Sequence, residues 1–180
     1  MKKLIFAFCL ILMPSISHAE EASWWDTWKS NAGKTWASDK YEVMLPLYTY
    51  HIRASYHRDS IAKYNEIPVG LGIDKYYFDE DGNKHYFHAI VFADSFYRPQ
   101  PMAGYGFQKN WYLNEDKDMA LGAGITAVLT ARGNSGYVPF PGVIPGIAFE
   151  YKRATFQLAW VPYMGFNNGN ILFALMQWKI

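Results

Sequence analysis

The chain is 180 residues long, the size of one domain, with 17 Lys and Arg against 16 Asp and Glu, a formal net charge of +1. A balance this close to zero gives no basis for nucleic-acid binding. Eighteen per cent of the residues are aromatic, a content that suits membrane interfaces, where an amphipathic ring sits at headgroup level.

Lys2 and Lys3 precede an apolar run from Leu4 to Met13, Pro14 breaks it, and Ser17-His18-Ala19 fits a signal-peptidase site. The run is about half the roughly 20 residues that a spanning helix needs. Residues 1–19 are therefore expected to be a removed signal peptide, and 20–180 a single exported domain. Cys9 is the only cysteine and leaves with the leader, so the mature chain is expected to have neither disulfide nor thiol chemistry. An exported, aromatic-rich chain without a second long apolar run is either a secreted β protein or a transmembrane barrel.

Residues 23–38 read as a short amphipathic helix, because Trp25, Trp28, Ala32 and Trp36 recur at helical spacing on one face. Ser23 is placed to begin it, and a Trp-rich face suits the membrane surface. From residue 43 the helical period disappears. Eight strand-like runs follow, at 43–56, 66–77, 85–94, 102–112, 119–131, 146–152, 154–162 and 170–180. Over the first run, Met44, Pro46, Tyr48, Tyr50 and Ile52 alternate with Leu45, Leu47, Thr49, His51 and Arg53. Tight connections at Asp81-Gly82, 114–118 and Lys152-Arg153 alternate with longer ones at 57–65, 95–101, 132–145 and 163–169. Alternating short and long connections along eight strands predict an all-β fold, an antiparallel transmembrane barrel preceded by the helix. Pro46, Pro68, Pro145 and Pro162 lie in or beside strands, where each removes a ladder donor. They either open gaps in the wall or simply end strands.

Strand parity brings together the residues that could carry chemistry. If strand one runs outward, strand two returns and strand three runs outward again, so His51, Asp94 and Ser95 reach the same rim. A His, an Asp and a Ser suggest acyl transfer, with imidazole as general base for a hydroxyl. Adjacent strand residues face opposite ways, so Asp94 and Ser95 can both reach His51 only where the chain leaves strand geometry. His57, His85 and His88 show no metal-ligand spacing.

The sequence resembles the lipid A palmitoyltransferase family. The resemblance is carried by Thr49-Tyr50-His51-Ile52-Arg53, Tyr64-Asn65-Glu66-Ile67-Pro68, Asp79-Glu80-Asp81-Gly82-Asn83, Asp94-Ser95 and Pro101-Met102-Ala103-Gly104-Tyr105-Gly106. Thr130-Ala131-Arg132, Phe156-Gln157 and Asn167-Asn168-Gly169-Asn170 continue it in family order. Two places differ from the family pattern: Phe96-Tyr97-Arg98-Pro99 replaces a Trp-rich stretch, and Ile180 replaces a terminal aromatic residue.

The resemblance implies an integral barrel of the Gram-negative outer membrane with its active-site residues facing the outer leaflet. The implied reaction transfers a palmitoyl group from the sn-1 position of a glycerophospholipid to a hydroxyacyl chain of lipid A. His51, Asp94 and Ser95 are then the catalytic residues, with His51 as general base, Asp94 orienting it or balancing its charge, and Ser95 holding the oxyanion or the acceptor. Gly106 is implied as the floor of an acyl pocket, its missing side chain leaving depth for a long chain. Pro46, Pro68, Pro145 and Pro162 match places where lipid enters sideways. The partners are then membrane lipids, and the chain is a monomer or weak homodimer. No cofactor or metal is called for, because an ester donor already carries its leaving group. The competing readings are a non-enzymatic barrel serving as anchor or adhesin, and a phospholipid hydrolase using water as acceptor.

Overall fold

The computed structural model describes residues 23–163 and 169–180. The leader expected at 1–19 and the Asn167-Asn168 segment lie outside the described residues. Helix α1 (Trp24–Ala37) is followed by strands β1 (Lys40–His51), β2 (Gly70–Phe78), β3 (Lys84–Ala93) and β4 (Pro99–Tyr112). Strands β5 (Met119–Thr130), β6 (Phe140–Tyr151), β7 (Ala154–Val161) and β8 (Ile171–Lys179) complete the chain. Each strand pairs antiparallel with the next, and β8 pairs back onto β1, closing an eight-stranded barrel. Closure leaves no free sheet edge apart from two short stretches of unpaired strand. The fold class expected from the sequence is the one observed.

Alternation along the strands separates two surfaces. Leu71, Ile73, Val91, Leu121, Ile125, Leu129, Val143 and Ile147 stay exposed on the outside. Such a belt of aliphatic side chains suits a hydrocarbon surround. Helix α1 lies against β2 and β3, with Trp28 edge-on to Tyr105 and Trp36 edge-on to Phe87. Its contact face is set by fully buried Thr35, while Trp24 and Trp36 remain 78% and 70% exposed. The helix thus keeps most of its tryptophan surface turned away from the barrel. Among the described residues no helix is long and apolar enough to cross a membrane.

The interior has two zones. Towards the tight turns it is filled with polar side chains: Lys84 Nζ donates to Glu42 Oε2 at 2.5 Å, Gln177 donates to Asp74 at 2.9 Å, and Lys179 pairs with Glu150. Towards the long loops it is apolar, around Met44, Ile90, Phe92, Met102, Phe173 and Leu175. The apolar zone is hollow, and the cavity opens upward to Ser95 and Phe96.

Three features depart from the expected strand pattern. First, β1 starts at Lys40, ends at His51 and does not keep one alternation throughout. Its register with β8 slips between Pro46 and Tyr48, where Pro46 faces Leu175 and Tyr48 faces Ala174. This β-bulge moves Thr49 and His51 to the inside and leaves Tyr48 and Tyr50 exposed. Second, residues 66–69 belong to the first long loop, and β2 begins at Gly70. Third, β6 begins at Phe140, because Pro141 and Pro145 pair with β5 on one side, while the pairing with β7 starts only at Gly146. A residue without an N–H is tolerated where the other side of the strand carries no ladder.

The last feature is one of two openings in the wall. β1 pairs with β2 only from Lys40 to Met44, so beyond Met44 its ladder continues on the β8 side, while the first loop meets it through the Thr49 N–H, which donates to the Glu66 carbonyl at 2.9 Å. Pro46 and Pro68 flank that opening, and Pro145 and Pro162 flank the one between β6 and β7. Both lie in the half of the barrel that holds the cavity.

The buried Lys84–Glu42 pair generates a stability prediction. Lys84→Met strands the Glu42 and Asp74 carboxyl groups in the interior, which should cost about 3–5 kcal/mol. Urea unfolding of the barrel in micelles should show that loss, and adding Glu42→Gln should recover part of it. A Lys84→Met barrel as stable as wild type would contradict this account of the polar zone.

Candidate active site

His51 ends β1 at the long-loop rim, turned inward by the bulge and only 1% exposed. Its ring is held from several directions. Tyr64 lies over it at 4.8 Å between centroids, and Tyr56 meets it edge-on at 5.2 Å. Nδ1 lies 3.1 Å from Glu66 Oε1, and Nε2 lies 2.8 Å from Ser95 Oγ.

Glu66 sits in the loop between β1 and β2. Arg53 grips it with two parallel bonds, Nη1 to Oε1 at 2.6 Å and Nη2 to Oε2 at 2.7 Å. The Tyr48 hydroxyl adds a third at 2.7 Å. The Arg53 guanidinium, helped by Tyr48 and His51, holds the Glu66 carboxyl down to about 2, against the opposing effect of burial. A carboxylate can only accept, so the proton of neutral His51 belongs on Nδ1, and the Nε2 lone pair faces the Ser95 hydroxyl. The array Ser95–His51–Glu66 therefore has the connectivity of a hydroxyl, a base and a carboxylate that orients the base.

Asp94 reaches the rim as expected, but its hydrogen bonds are not those of an orienting partner of His51. Its carboxylate accepts from the backbone N–H groups of Phe96 at 2.8 Å and Arg98 at 2.9 Å, and among the described residues it makes no hydrogen bond to His51. The orienting place on Nδ1 is filled by Glu66. Asp94 instead organises the β3–β4 turn, in which Tyr97 takes a left-handed backbone with φ 61°. Asn65 ties this turn to the first loop, its N–H donating to the Ser95 carbonyl at 2.9 Å and its side chain to the Asp94 carbonyl at 3.2 Å. The chain leaves strand geometry at Asp94, which is how two adjacent residues serve one site.

Gly106 also takes a different place. It is buried in β4 between Tyr86 of β3 and Thr126 of β5. The Tyr86 ring lies across it so closely that a Cβ on Gly106 would fall 2.2 Å from Tyr86 Cζ. Gly106 thus makes room for that ring and does not line the cavity. His51, Asp94 and Ser95 come together at the rim as strand parity required, the four prolines flank the two wall openings, and Gly106 lies beneath the cavity. Sequence reasoning missed Glu66 and Arg53. The available signal was a carboxylate two residues before Pro68 and a guanidinium two residues after His51, both inside matching stretches.

Beside the Ser95–His51 pair, a vestibule lined by Tyr56, Tyr64, Arg132, Asn134 and Phe140 opens towards solvent, while the apolar cavity descends from Ser95 into the barrel. A base and hydroxyl at the mouth of an apolar shaft is an arrangement for chemistry at the head of an acyl chain. Residues 31–177 match the family described as Antimicrobial peptide resistance and lipid A acylation protein PagP. The chain belongs to this family. It is 45% identical to the lipid A acyltransferase PagP of Laribacter hongkongensis over 157 residues, 87% of this chain and 74% of that one. The PagP of Proteus mirabilis is 39% identical, over 92% of this chain and 78% of its own. That of Salmonella typhi is 37% identical, over 94% and 88% respectively. The family is one of outer-membrane β-barrels, in keeping with the closed barrel and its aliphatic belt.

Glu66→Gln tests the orienting role. The substitution nearly preserves shape but removes the charge that fixes the His51 tautomer, and acyl transfer should fall by about 10²-fold or more. The Arg53–Glu66 clamp also has a pH signature. With its folded pKa depressed from 4.5 to about 2, Glu66 contributes stability at neutral pH that is lost as pH falls through that interval. Protease cleavage within residues 52–69 should accelerate below about pH 4 in wild type and show a much weaker pH response in Glu66→Gln.

Proposed function

We propose that this chain transfers a fatty-acyl group from the sn-1 ester of a glycerophospholipid to a hydroxyl of lipid A, with the long-loop rim facing the outer leaflet. The observation that carries the reading is the Ser95–His51–Glu66 array at the mouth of an apolar shaft inside a barrel of the PagP family. The acyl chain lies in the shaft, its ester at Ser95 and His51 and its headgroup in the vestibule. The shaft is flanked by the two wall openings, and Pro46 and Pro68 on one side and Pro145 and Pro162 on the other keep them unpaired. Donor and acceptor reach the site sideways from the membrane through these openings.

In this reading His51 Nε2 takes the proton of the lipid A hydroxyl as its oxygen attacks the ester carbonyl. Glu66 stabilises the imidazolium that forms, and the Ser95 hydroxyl donates to the developing oxyanion. Collapse breaks the bond to the glycerol oxygen, which leaves as the lysophospholipid with the proton from His51. Asp94 acts through the turn that presents Ser95. The 2.8 Å Ser95–His51 bond also suits a two-step route through an acyl-serine, with Ser95 as the attacking hydroxyl. Acyl label retained on Ser95 after exposure to donor alone would select that route.

The test is transfer of labelled sn-1 acyl to lipid A by the folded barrel, wild type against His51→Ala. Label in lipid A with wild type only, at a rate lowered by about 10³-fold or more in the variant, is the expected result. Equal transfer by both would move the chemistry elsewhere. Label released only as free fatty acid would make the chain a hydrolase, and no turnover from a folded wild type would leave the anchor reading.

A further inference from the structure

The vestibule beside Ser95 and His51 has a volume of about 390 Å³, and its charge is one-sided. Among the described residues that line it, Arg132 is the one permanent cation and none is a carboxylate. Arg132 follows the end of β5 but keeps an extended backbone, with φ −126° and ψ 147°. The strand's alternation therefore carries through it, and Val128, Thr130 and Arg132 succeed one another up the wall of the shaft. Its carbonyl accepts from the Tyr137 N–H at 2.8 Å and the Ser135 hydroxyl at 3.1 Å, which closes the loop onto it. Its guanidinium lies over the Phe140 ring at 5.6 Å, and the residue is half-buried. Burial pushes this group down, while the Asp94 carboxylate and the Tyr56 hydroxyl push it back up. A guanidinium keeps its charge in such a place, so an incoming anion offsets part of its lost hydration. Other guanidinium groups of the rim stand elsewhere: Arg53 is committed to Glu66, and Arg98 lies exposed across Gly133.

Resting on the acyl-transfer reading above, we infer that Arg132 binds the phosphodiester of the donor phospholipid and so seats its sn-1 ester at Ser95 and His51. Arg132 and Ser95 both border the shaft and the vestibule, so the two residues stand at the seam where chain and headgroup part. In a glycerophospholipid the phosphorus lies about six bonds from the sn-1 carbonyl carbon, or about 6–7 Å, given bonds of about 1.5 Å. With the chain in the shaft and the carbonyl at Ser95, the phosphate falls in the vestibule. A phosphodiester offers two equivalent oxygens that share one negative charge, which the planar fork of one guanidinium matches with two parallel bonds. The single cation of the vestibule balances that single charge. The phosphate monoesters of lipid A carry up to about two charges each and call for more than one cation. The donor is therefore the source of the phosphate at Arg132.

The experiment compares two donors with identical acyl chains, a phosphatidylcholine and the diacylglycerol that lacks its phosphate, at equal mole fraction in mixed micelles with the folded full barrel and lipid A. Wild type should use the phospholipid with a kcat/KM about tenfold to hundredfold above that of the diacylglycerol. Arg132→Gln should reduce this preference to about threefold or less, with the loss falling mainly on KM for the phospholipid. Arg132→Lys, which keeps the charge without the fork, should retain part of it. The preference for phosphorylated over dephosphorylated lipid A should be the same in wild type and Arg132→Gln. Equal use of the two donors by wild type overturns the inference whether or not the variants fold. So does a folded Arg132→Gln that loses both donors in proportion, because a residue that only holds the loop lowers both alike. A change confined to the lipid A comparison overturns it as well, by moving Arg132 to the acceptor. Each of these results leaves acyl transfer intact, whereas no transfer from either donor by folded wild type removes the reading and the inference together.

Discussion

A chain that crosses hydrocarbon must pair its own backbone, because no water is present to receive an unmade hydrogen bond. Closure of β8 onto β1 meets that requirement around most of the circumference, and everything else in the molecule is arranged against it. The two stretches where the ladder is missing are confined to the half that holds the shaft, and prolines flank both. A residue without an N–H leaves less unsatisfied at an opening than any other residue would. The same constraint explains the division of the interior. The polar zone sits where the wall is paired throughout and its side chains satisfy one another, whereas the apolar zone sits where the wall is open and has room for a lipid chain.

The bulge between Pro46 and Tyr48 connects this wall to the candidate site. Without it, the alternation that places Met44 inside would carry His51 to the lipid face. With it, His51 turns inward and meets a turn that has itself left strand geometry. Two local breaks in regular pairing, one in β1 and one after β3, therefore bring a base and a hydroxyl within 2.8 Å of each other. The Arg53–Glu66 clamp holds the loop between them and fixes which imidazole nitrogen faces the serine.

Much of the fold was legible because its signals are strong and local. Asp81-Gly82, Asn114 to Asp118 and Lys152-Arg153 are turn chemistry, and the strands between them alternate clearly. Helix α1 was visible in Trp25, Trp28, Ala32 and Trp36 at helical spacing. The bulge was not legible, since aromatic and aliphatic residues occupy both faces of β1 and either alternation looks acceptable. The start of β6 was hidden by Pro141 and Pro145, which argue against a strand unless its neighbour on one side is known to be absent. In the site, strand parity was enough to bring His51 and Ser95 together across 43 intervening residues. It could not say that the Asp94 side chain turns back on its own turn, because that depends on backbone N–H groups freed by Phe96 and Arg98. Nor could it place Glu66, whose loop position is set by Arg53 and Tyr48. Gly106 was read as empty space, yet what fills the space beside a glycine is decided by the neighbouring strand, and there Tyr86 faces inward.

The claim on which the account turns is that the chemistry sits at the long-loop rim and draws its lipids from the leaflet beside it. The most direct measurement is transfer in vesicles that hold the barrel in one orientation, with donor phospholipid and lipid A placed in a single leaflet, the orientation being read from protease access to residues 52–69. The account predicts transfer when both lipids occupy the leaflet next to the long loops and almost none when both occupy the other. Equal transfer from either leaflet would contradict it.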